Sequence, residues 1–108
     1  MNERIKKLWI NALKSGKYKQ TRHQLRRGDE FCCLGVLCDL HSKETGDKWD
    51  LKSQPKYGSE SEALPQNVIN WADLSSINPD FGPMQTLAEA NDGDATFEEI
   101  AQIIEDKL

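Results

Sequence analysis

One apolar segment near the middle of the chain constrains the fold more than any other feature. Residues 31–38, FCCLGVLC, carry no charge in a chain in which 30% of the residues are charged. A helical pattern begins within this segment and breaks at Gly46. We therefore predict a central buried helix. Its apolar positions, at the spacing of one helix face, are Cys33, Val36, Leu37 and Leu40.

The two ends of the chain carry the clearest helix signals. Residues 3–15 lie between Asn2, a residue type that caps helix starts, and Gly16, which suits the left-handed turn that ends a helix. Near the C-terminus, Thr96 and Glu99 form a Thr-x-x-Glu capping box. We predict a helix at each end. The apolar stripes are Ile5, Leu8, Trp9, Ala12 and Leu13 in the first, and Phe97, Ile100, Ala101, Ile104 and Leu108 in the last.

Between the first and the central helix, the pattern changes to short extended pieces. Arg27-Gly28-Asp29 offers a turn between two such pieces, which predicts a β-hairpin. Residues 47–63, after the central helix, are polar, and only Trp49 and Leu51 look able to anchor them. We predict a mobile loop over residues 47–63.

Two shorter helices are predicted in the second half of the chain. Pro65 suits the first turn of one helix. Pro79 and Pro83 enforce an irregular stretch before the other, which we place around Met84–Ala90. Together, these segments predict one α+β domain over residues 1–108, with four to five short helices packed with one small β-hairpin.

The charges are strongly segregated along the chain. Residues 1–27 carry nine Lys or Arg against Glu3 alone, a net charge of +8. Residues 28–108 carry five Lys or Arg against seventeen acids, a net charge of −12. Such polarity favours anionic partners at one end, and solubility or basic partners at the other.

Segment lengths and cysteine usage both favour the cytoplasm. The apolar run of residues 31–38 is too short to cross a bilayer, and the N-terminal MNERIKKLW lacks the features of a signal peptide. Three clustered cysteines, Cys32, Cys33 and Cys38, make a poor disulfide framework and favour free thiols. We expect a cytoplasmic protein without a membrane partner.

The cysteines also raise the possibility of a zinc site. With His41, they supply four ligands of the right type within ten residues. However, Cys32 and Cys33 are adjacent and therefore point apart, and the usual ligand pair from a second segment is missing. We favour packing of the cysteines in the core and predict no metal and no cofactor.

Two patterns near the C-terminus resemble binding motifs but fail on their chemistry. The segment Asn91–Glu99 resembles half of an EF-hand loop, yet Ala88 and Ala90 would stand at the first and third ligand positions without a side-chain oxygen. Residues 87–108 can be drawn as a helix-turn-helix, but the second helix exposes acids where DNA approach requires cations. We expect neither calcium nor DNA at this end.

The basic residues between positions 14 and 27 could together bind a ligand. This segment also contains Lys14 and Lys17. Arginines on or beside a hairpin present planar forks to phosphate or carboxylate, and an aromatic ring beside them can stack on a base. The alternative is a solvated charged face or a protein contact. We predict a site for an anion, a nucleotide or a nucleic acid. Its residues would be Tyr18, Lys19, Arg22, His23, Arg26 and Arg27, with Trp49 as a second aromatic.

Catalysis has little support in the sequence. The chain carries no nucleophile elbow, Walker loop, dinucleotide glycine motif or HExxH, and its two histidines have no recognisable partner. We expect a protein that is not an enzyme.

The ten residues Phe31–Leu40, FCCLGVLCDL, resemble the core of a family of small, mostly uncharacterised bacteriophage and prophage proteins. The family carries no known active site. The resemblance implies an accessory protein made inside a bacterium, for which a role in host takeover or counter-defence is expected. Further segments of the likeness are Trp9–Leu13 and Ser15–Tyr18 before the core, and Leu64-Pro65, Val68, Trp71, Leu87, Asn91-Asp92 and Thr96–Ala101 after it.

Three functions are compatible with these features. The basic stretch favours binding of an anionic ligand such as a nucleotide, and a phage protein of this kind would sequester a host nucleotide signal. A second hypothesis is a small acidic inhibitor that docks on a host bacterial protein through residues 47–63 or the C-terminal helix. A third is a self-associating or virion-associated component, such as a homodimer with Trp9 or Trp71 in the subunit contact.

Overall fold

A computed structural model describes residues 1–52, 54–75, 80–82 and 85–108. Within these ranges it contains five helices and five short strands, which confirms the predicted α+β class. No helix in these ranges is long and apolar enough to cross a membrane. In chain order, the elements are α1 Glu3–Lys14, β1 Lys19–Gln20, β2 Arg26–Arg27, β3 Glu30–Phe31, α2 Cys33–Thr45, α3 Gln66–Ala72, β4 Asp80–Gly82, β5 Gln85–Thr86, α4 Leu87–Asp92 and α5 Phe97–Lys107.

Helix α2 lies at the centre of the core, as the apolar pattern predicts. Every residue from Cys33 to Cys38 is buried, and the helix ends at Gly46, whose φ of +86° is the left-handed conformation that glycine adopts easily. Its first turn is capped by Cys32, whose Sγ accepts a hydrogen bond from the Gly35 amide at 3.4 Å. The three cysteines are free thiols within this core.

Helix α1 packs against both α2 and α5, with Trp9 at the contact. The Trp9 side chain is fully buried, and its Nε1 donates a hydrogen bond to the Cys33 carbonyl oxygen at 2.9 Å. The hypothesis that places Trp9 in a subunit contact is therefore wrong, because the monomer core already uses the whole ring. Trp71 is only partly buried against that core.

The predicted capping residues hold both terminal helices. Asn2 Oδ1 accepts a hydrogen bond from the Ile5 amide at 3.0 Å. Thr96 Oγ1 accepts from the Glu99 amide, and Glu99 Oε1 accepts from the Thr96 amide, so that the capping box is complete. These bonds satisfy amide groups that a helix start would otherwise leave without a partner.

The predicted hairpin is confirmed, and it belongs to a larger sheet. Strands β2 and β3 pair antiparallel around Gly28, with Arg26 opposite Phe31. Strand β1 pairs parallel with β3, which gives the strand order β1-β3-β2. Strands β4 and β5 form a second antiparallel pair that the sequence patterns did not indicate.

Residues 47–63 are anchored differently from the prediction. Leu51 is 59% exposed and anchors nothing, whereas Tyr57 is 1% exposed and packs in the core. The Tyr57 hydroxyl shares a 2.5 Å hydrogen bond with Nδ1 of His41, a buried residue of α2. Trp49 is partly buried, as expected. The mobility of this segment stays a prediction.

The predicted helix around Met84–Ala90 begins and ends later than expected. Helix α4 begins at Leu87 because Thr86 pairs with β4 and caps the helix through the Glu89 amide. It continues to Asp92. Met84, Pro79 and Pro83 lie outside the described residues.

The buried amide of Asn91 joins three parts of the fold. Its Oδ1 accepts hydrogen bonds from the Cys33 amide at 3.1 Å and from Gln20 Nε2 at 3.0 Å. Its Nδ2 donates to the Thr21 carbonyl oxygen at 2.8 Å. Helix α4 is thereby tied to the first turn of α2 and to the chain around β1.

We predict that Gly35→Ala strongly destabilises the domain. An added Cβ would overlap the carbonyl oxygen of Leu25 and lie 2.8 Å from its carbonyl carbon, and backbone cannot move aside cheaply. We expect the free energy of unfolding, measured in urea, to fall by at least about 3 kcal/mol.

The matched control is Gly93→Ala. At Gly93 the nearest atom to an added Cβ, the Glu89 carbonyl oxygen, lies at an ordinary 3.4 Å. We expect a loss below about 1 kcal/mol for this variant. Equal losses for the two variants would contradict the close approach of α2 to Leu25.

Candidate functional site

The structure distributes the predicted basic site over several surfaces. Arg22 and His23 face the end of α4, where Arg22 Nε donates to the Gly93 carbonyl oxygen at 3.0 Å. The His23 amide donates to Asp92 Oδ1 at 2.7 Å, and His23 Nδ1 lies 3.4 Å from Asp92 Oδ2. Both residues therefore hold the connection between β1 and β2 against α4.

Arg26 and Trp49 come together, but in a packing contact. The Arg26 guanidinium carbon lies 4.8 Å from the centre of the Phe31 ring and 5.3 Å from that of Trp49. The Arg26 side chain is 15% exposed, and its Nε donates to the Gly28 carbonyl oxygen at 2.7 Å. The Phe31 and Trp49 rings therefore already contact a cation of the protein itself, the guanidinium of Arg26.

Lys19 and Arg27 lie on the outer strands of the three-stranded sheet. Both are exposed, and both are in register with Glu30 of the strand between them. Side chains at paired positions share one face of a sheet, so the carboxylate of Glu30 offsets part of their charge. Lys19, Glu30 and Arg27 therefore form a row of mixed charge across the sheet.

Tyr18 belongs to a polar network centred on Asp39 of α2. The Tyr18 hydroxyl donates to Asp39 Oδ2 at 2.6 Å, and Trp49 Nε1 donates to Asp39 Oδ1 at 3.2 Å. Lys43, one turn further along α2, donates from Nζ to the Tyr18 hydroxyl at 3.2 Å and lies 3.5 Å from Asp39 Oδ2. The network fixes the Tyr18 ring, which packs edge-on against Phe31.

The network keeps both of its outer members protonated. Burial, and then the hydrogen bond to Asp39, raises the pKa of Tyr18 above its ordinary value. The hydrogen bond to Tyr18 raises the pKa of Lys43. At neutral pH the site therefore presents a neutral phenol and an ammonium group.

A cavity of about 280 Å³ opens beside this network, between the end of α1 and the middle of α2. Lys17 and Lys43 line it, and no carboxylate among the described residues does. The Ser15 hydroxyl is already engaged, since it donates to the Ala12 carbonyl oxygen and accepts from the Lys17 amide. The described residues that line it are Asn11, Ala12, Ser15, Lys17, Tyr18, Leu40 and Lys43. We call it the lysine cavity.

Sequence reasoning found part of the lysine cavity. Tyr18 was among the predicted site residues, and Lys17 lies in the same basic stretch. Lys43 was missed because it lies 26 residues after Lys17 and reaches it only through the packing of α1 on α2. The spacing of Asp39 and Lys43, one helical turn apart, was the available local signal.

A second cavity, of about 400 Å³, has the opposite character. It lies beside His23, and its lining includes Glu62, Glu89 and Asp92. Such a set of carboxylates disfavours an anion. Cys32 also lines it, but burial raises the pKa of this thiol to about 11, so that it is not a thiolate at neutral pH.

The cysteines and His41 do not converge in space. Across the described ranges, no group of three or more His, Cys, Asp or Glu side chains is placed to hold a metal ion. Burial raises the pKa values of Cys33 and Cys38 well above the ordinary value. The side chains of Cys32, Cys33 and Cys38 all pack in the hydrophobic core.

Comparison with known proteins gives a family and no activity. A family model described as a domain of unknown function, DUF8296, matches residues 1–108. The chain belongs to this family. No curated protein and no solved structure matches it with significance. The match confirms the prediction that the chain belongs to an uncharacterised family.

For this DUF8296 domain, we predict a structural role for Arg26 and none for its neighbour Arg27. Arg26→Met removes two cation–π contacts, worth about 1–2 kcal/mol together. Arg27→Met removes an exposed charge and should change the free energy of unfolding by less than about 0.5 kcal/mol. Urea unfolding followed by Trp fluorescence measures both, and equal effects would contradict the packing role.

Proposed function

We propose that this domain is a non-catalytic binding protein for a small phosphorylated ligand such as a nucleotide. The single observation that supports the proposal is the lysine cavity, in which Lys17 and Lys43 flank Tyr18. It retains the predicted ligand class and moves the centre of the site from the hairpin arginines to the end of α1.

The charge in the lysine cavity favours an anion. Two ammonium groups lie on its lining, while the carboxylate of Asp39 lies behind Tyr18, with its side chain 15% exposed. Asp39 accepts hydrogen bonds from Tyr18 and Trp49, and its Oδ2 lies 3.5 Å from Lys43 Nζ, so that it offsets part of the Lys43 charge and leaves that of Lys17 uncompensated by it. A phosphate would gain charge-assisted hydrogen bonds from both lysines.

The other groups of the lysine cavity suit recognition better than chemistry. Asn11 supplies an amide that can donate to a phosphate or sugar oxygen, and Leu40 supplies an apolar wall. Tyr18 and Lys43 keep their protons at neutral pH because both pKa values are raised, which makes them poor general bases. These properties support binding without turnover.

The resemblance to phage proteins gives the proposal a setting. In an infected bacterial cell, a small cytoplasmic protein that captures a nucleotide can remove a host signal from solution, as host takeover or counter-defence requires. Inhibition of a host protein and self-association as a structural component remain competing predictions.

Isothermal titration at low salt tests the proposed function. The panel is inorganic phosphate, mononucleotides and cyclic dinucleotides, each titrated into the full chain. We expect at least one phosphorylated compound to bind, with an affinity that falls as salt is added because the contacts are ionic. Lys17→Gln and Lys43→Gln should each weaken binding about tenfold or more, the effect of one charged hydrogen bond.

The matched control is Lys48→Gln, which removes an equal charge from an exposed position outside the lysine cavity. We expect unchanged affinity for this variant. Because Lys43 also contacts Tyr18, thermal melts of each variant separate lost binding from lost folding. The proposal is overturned if no phosphorylated compound binds, or if both cavity variants bind as tightly as the control.

A further inference from the structure

Tyr18 separates the lysine cavity from a neighbouring cavity of about 370 Å³. This neighbouring cavity lies between the end of α1 and the start of α5, and we call it the α1–α5 cavity. The two cavities share Tyr18, and the chain from Ala12 to Tyr18 contributes residues to both. In the described part of the chain, the residues that line the α1–α5 cavity are Leu13, Lys14, Gly16, Tyr18, Gln20, Thr96, Phe97 and Glu98.

The walls of the α1–α5 cavity suit a flat, partly apolar group. Leu13 and Phe97 are buried core residues, each less than a tenth exposed, and they form its apolar part. Gln20 is held in place because its Nε2 donates to Asn91 Oδ1 and to the Ala95 carbonyl oxygen. This part of the wall is therefore fixed by hydrogen bonds before a ligand arrives.

The polar groups of the α1–α5 cavity have a definite donor and acceptor character. Glu98, exposed in the first turn of α5, is a carboxylate with two acceptor oxygens. Lys14, exposed in the last turn of α1, supplies only donors. A ligand that contacts both would offer donors to Glu98 and an acceptor to Lys14, and a pair of adjacent donors would use both oxygens of Glu98.

Guanine has this pattern on its Watson–Crick edge. Its N1–H and N2 amino group are neighbouring donors that one carboxylate can accept together, and its O6 accepts from a cation such as that of Lys14. Adenine presents a ring nitrogen acceptor where guanine presents N1–H, so it would leave one oxygen of Glu98 facing an acceptor. Hypoxanthine keeps N1–H and O6 and lacks the amino group.

We infer that the ligand is a guanine nucleotide, whose phosphate lies between Lys17 and Lys43 and whose base lies beside Glu98. The inference rests on the proposed function, since it needs the phosphate in the lysine cavity. The sugar then crosses the rim at Tyr18, the residue that lines both cavities.

Titration of the full chain with GMP, IMP, AMP and inorganic phosphate tests this inference. We expect GMP to bind about tenfold or more tightly than AMP, the scale of one bidentate base contact, with IMP between them. Glu98→Gln should lower the affinity for GMP to about that for AMP and should not weaken AMP binding, because the Gln amide can donate to the adenine ring nitrogen.

The control variant is Glu105→Gln, which removes an equal charge from an exposed position further along α5. It should keep the preference for GMP. Thermal melts of both variants report on folding. The guanine inference is overturned if GMP and AMP bind with equal affinity, or if the preference for GMP survives in Glu98→Gln. In either case, binding that depends on the phosphate group still supports the lysine cavity. If none of the four compounds binds, the guanine inference fails, and the proposed function fails as well if the cyclic dinucleotides of the wider panel also do not bind.

Discussion

The arrangement of this domain depends on one buried amide, that of Asn91. An uncompensated amide in a protein interior is costly, so its partners must stay in place. Here the partners are the Cys33 amide at the start of α2, the Gln20 side chain on β1 and the Thr21 carbonyl oxygen. Beside them, Gly35 lets the backbone of Leu25 approach α2 closely. Together, these contacts fix strand β1, and with it the end of the chain that connects α1 to the sheet, against α2 and α4.

Fixing that chain determines where the candidate site lies. The connection from α1 to β1 crosses between α2 and α5, which leaves a cavity on each side of Tyr18. The hydrogen bond from Tyr18 to Asp39 holds the ring in place, and Lys43 completes the network from the α2 side. The basic residues that are nearest in sequence, Arg22 to Arg27, are instead used for packing or lie on other faces.

Local patterns predicted the elements well because their causes are local. Each helix end depends on residues within one turn of it. The side chains of Asn2 and Thr96 cap backbone amides at the starts of α1 and α5, and Gly46 takes the left-handed conformation that ends α2. The parallel pairing of β1 with β3 and the burial of Tyr57 depend on distant partners, which no local pattern reveals. The same holds for Lys43, whose place beside Lys17 arises from the packing of α1 on α2.

The proposed function requires that an anion binds in the lysine cavity rather than at the hairpin arginines. A titration of ¹⁵N-labelled protein with inorganic phosphate, followed by amide chemical shifts, tests it most directly because it needs no variant and locates binding by residue. We expect saturable shifts confined to residues 11–18 and 40–43. The largest shifts at residues 22–27, or no saturable shifts at all, would contradict it.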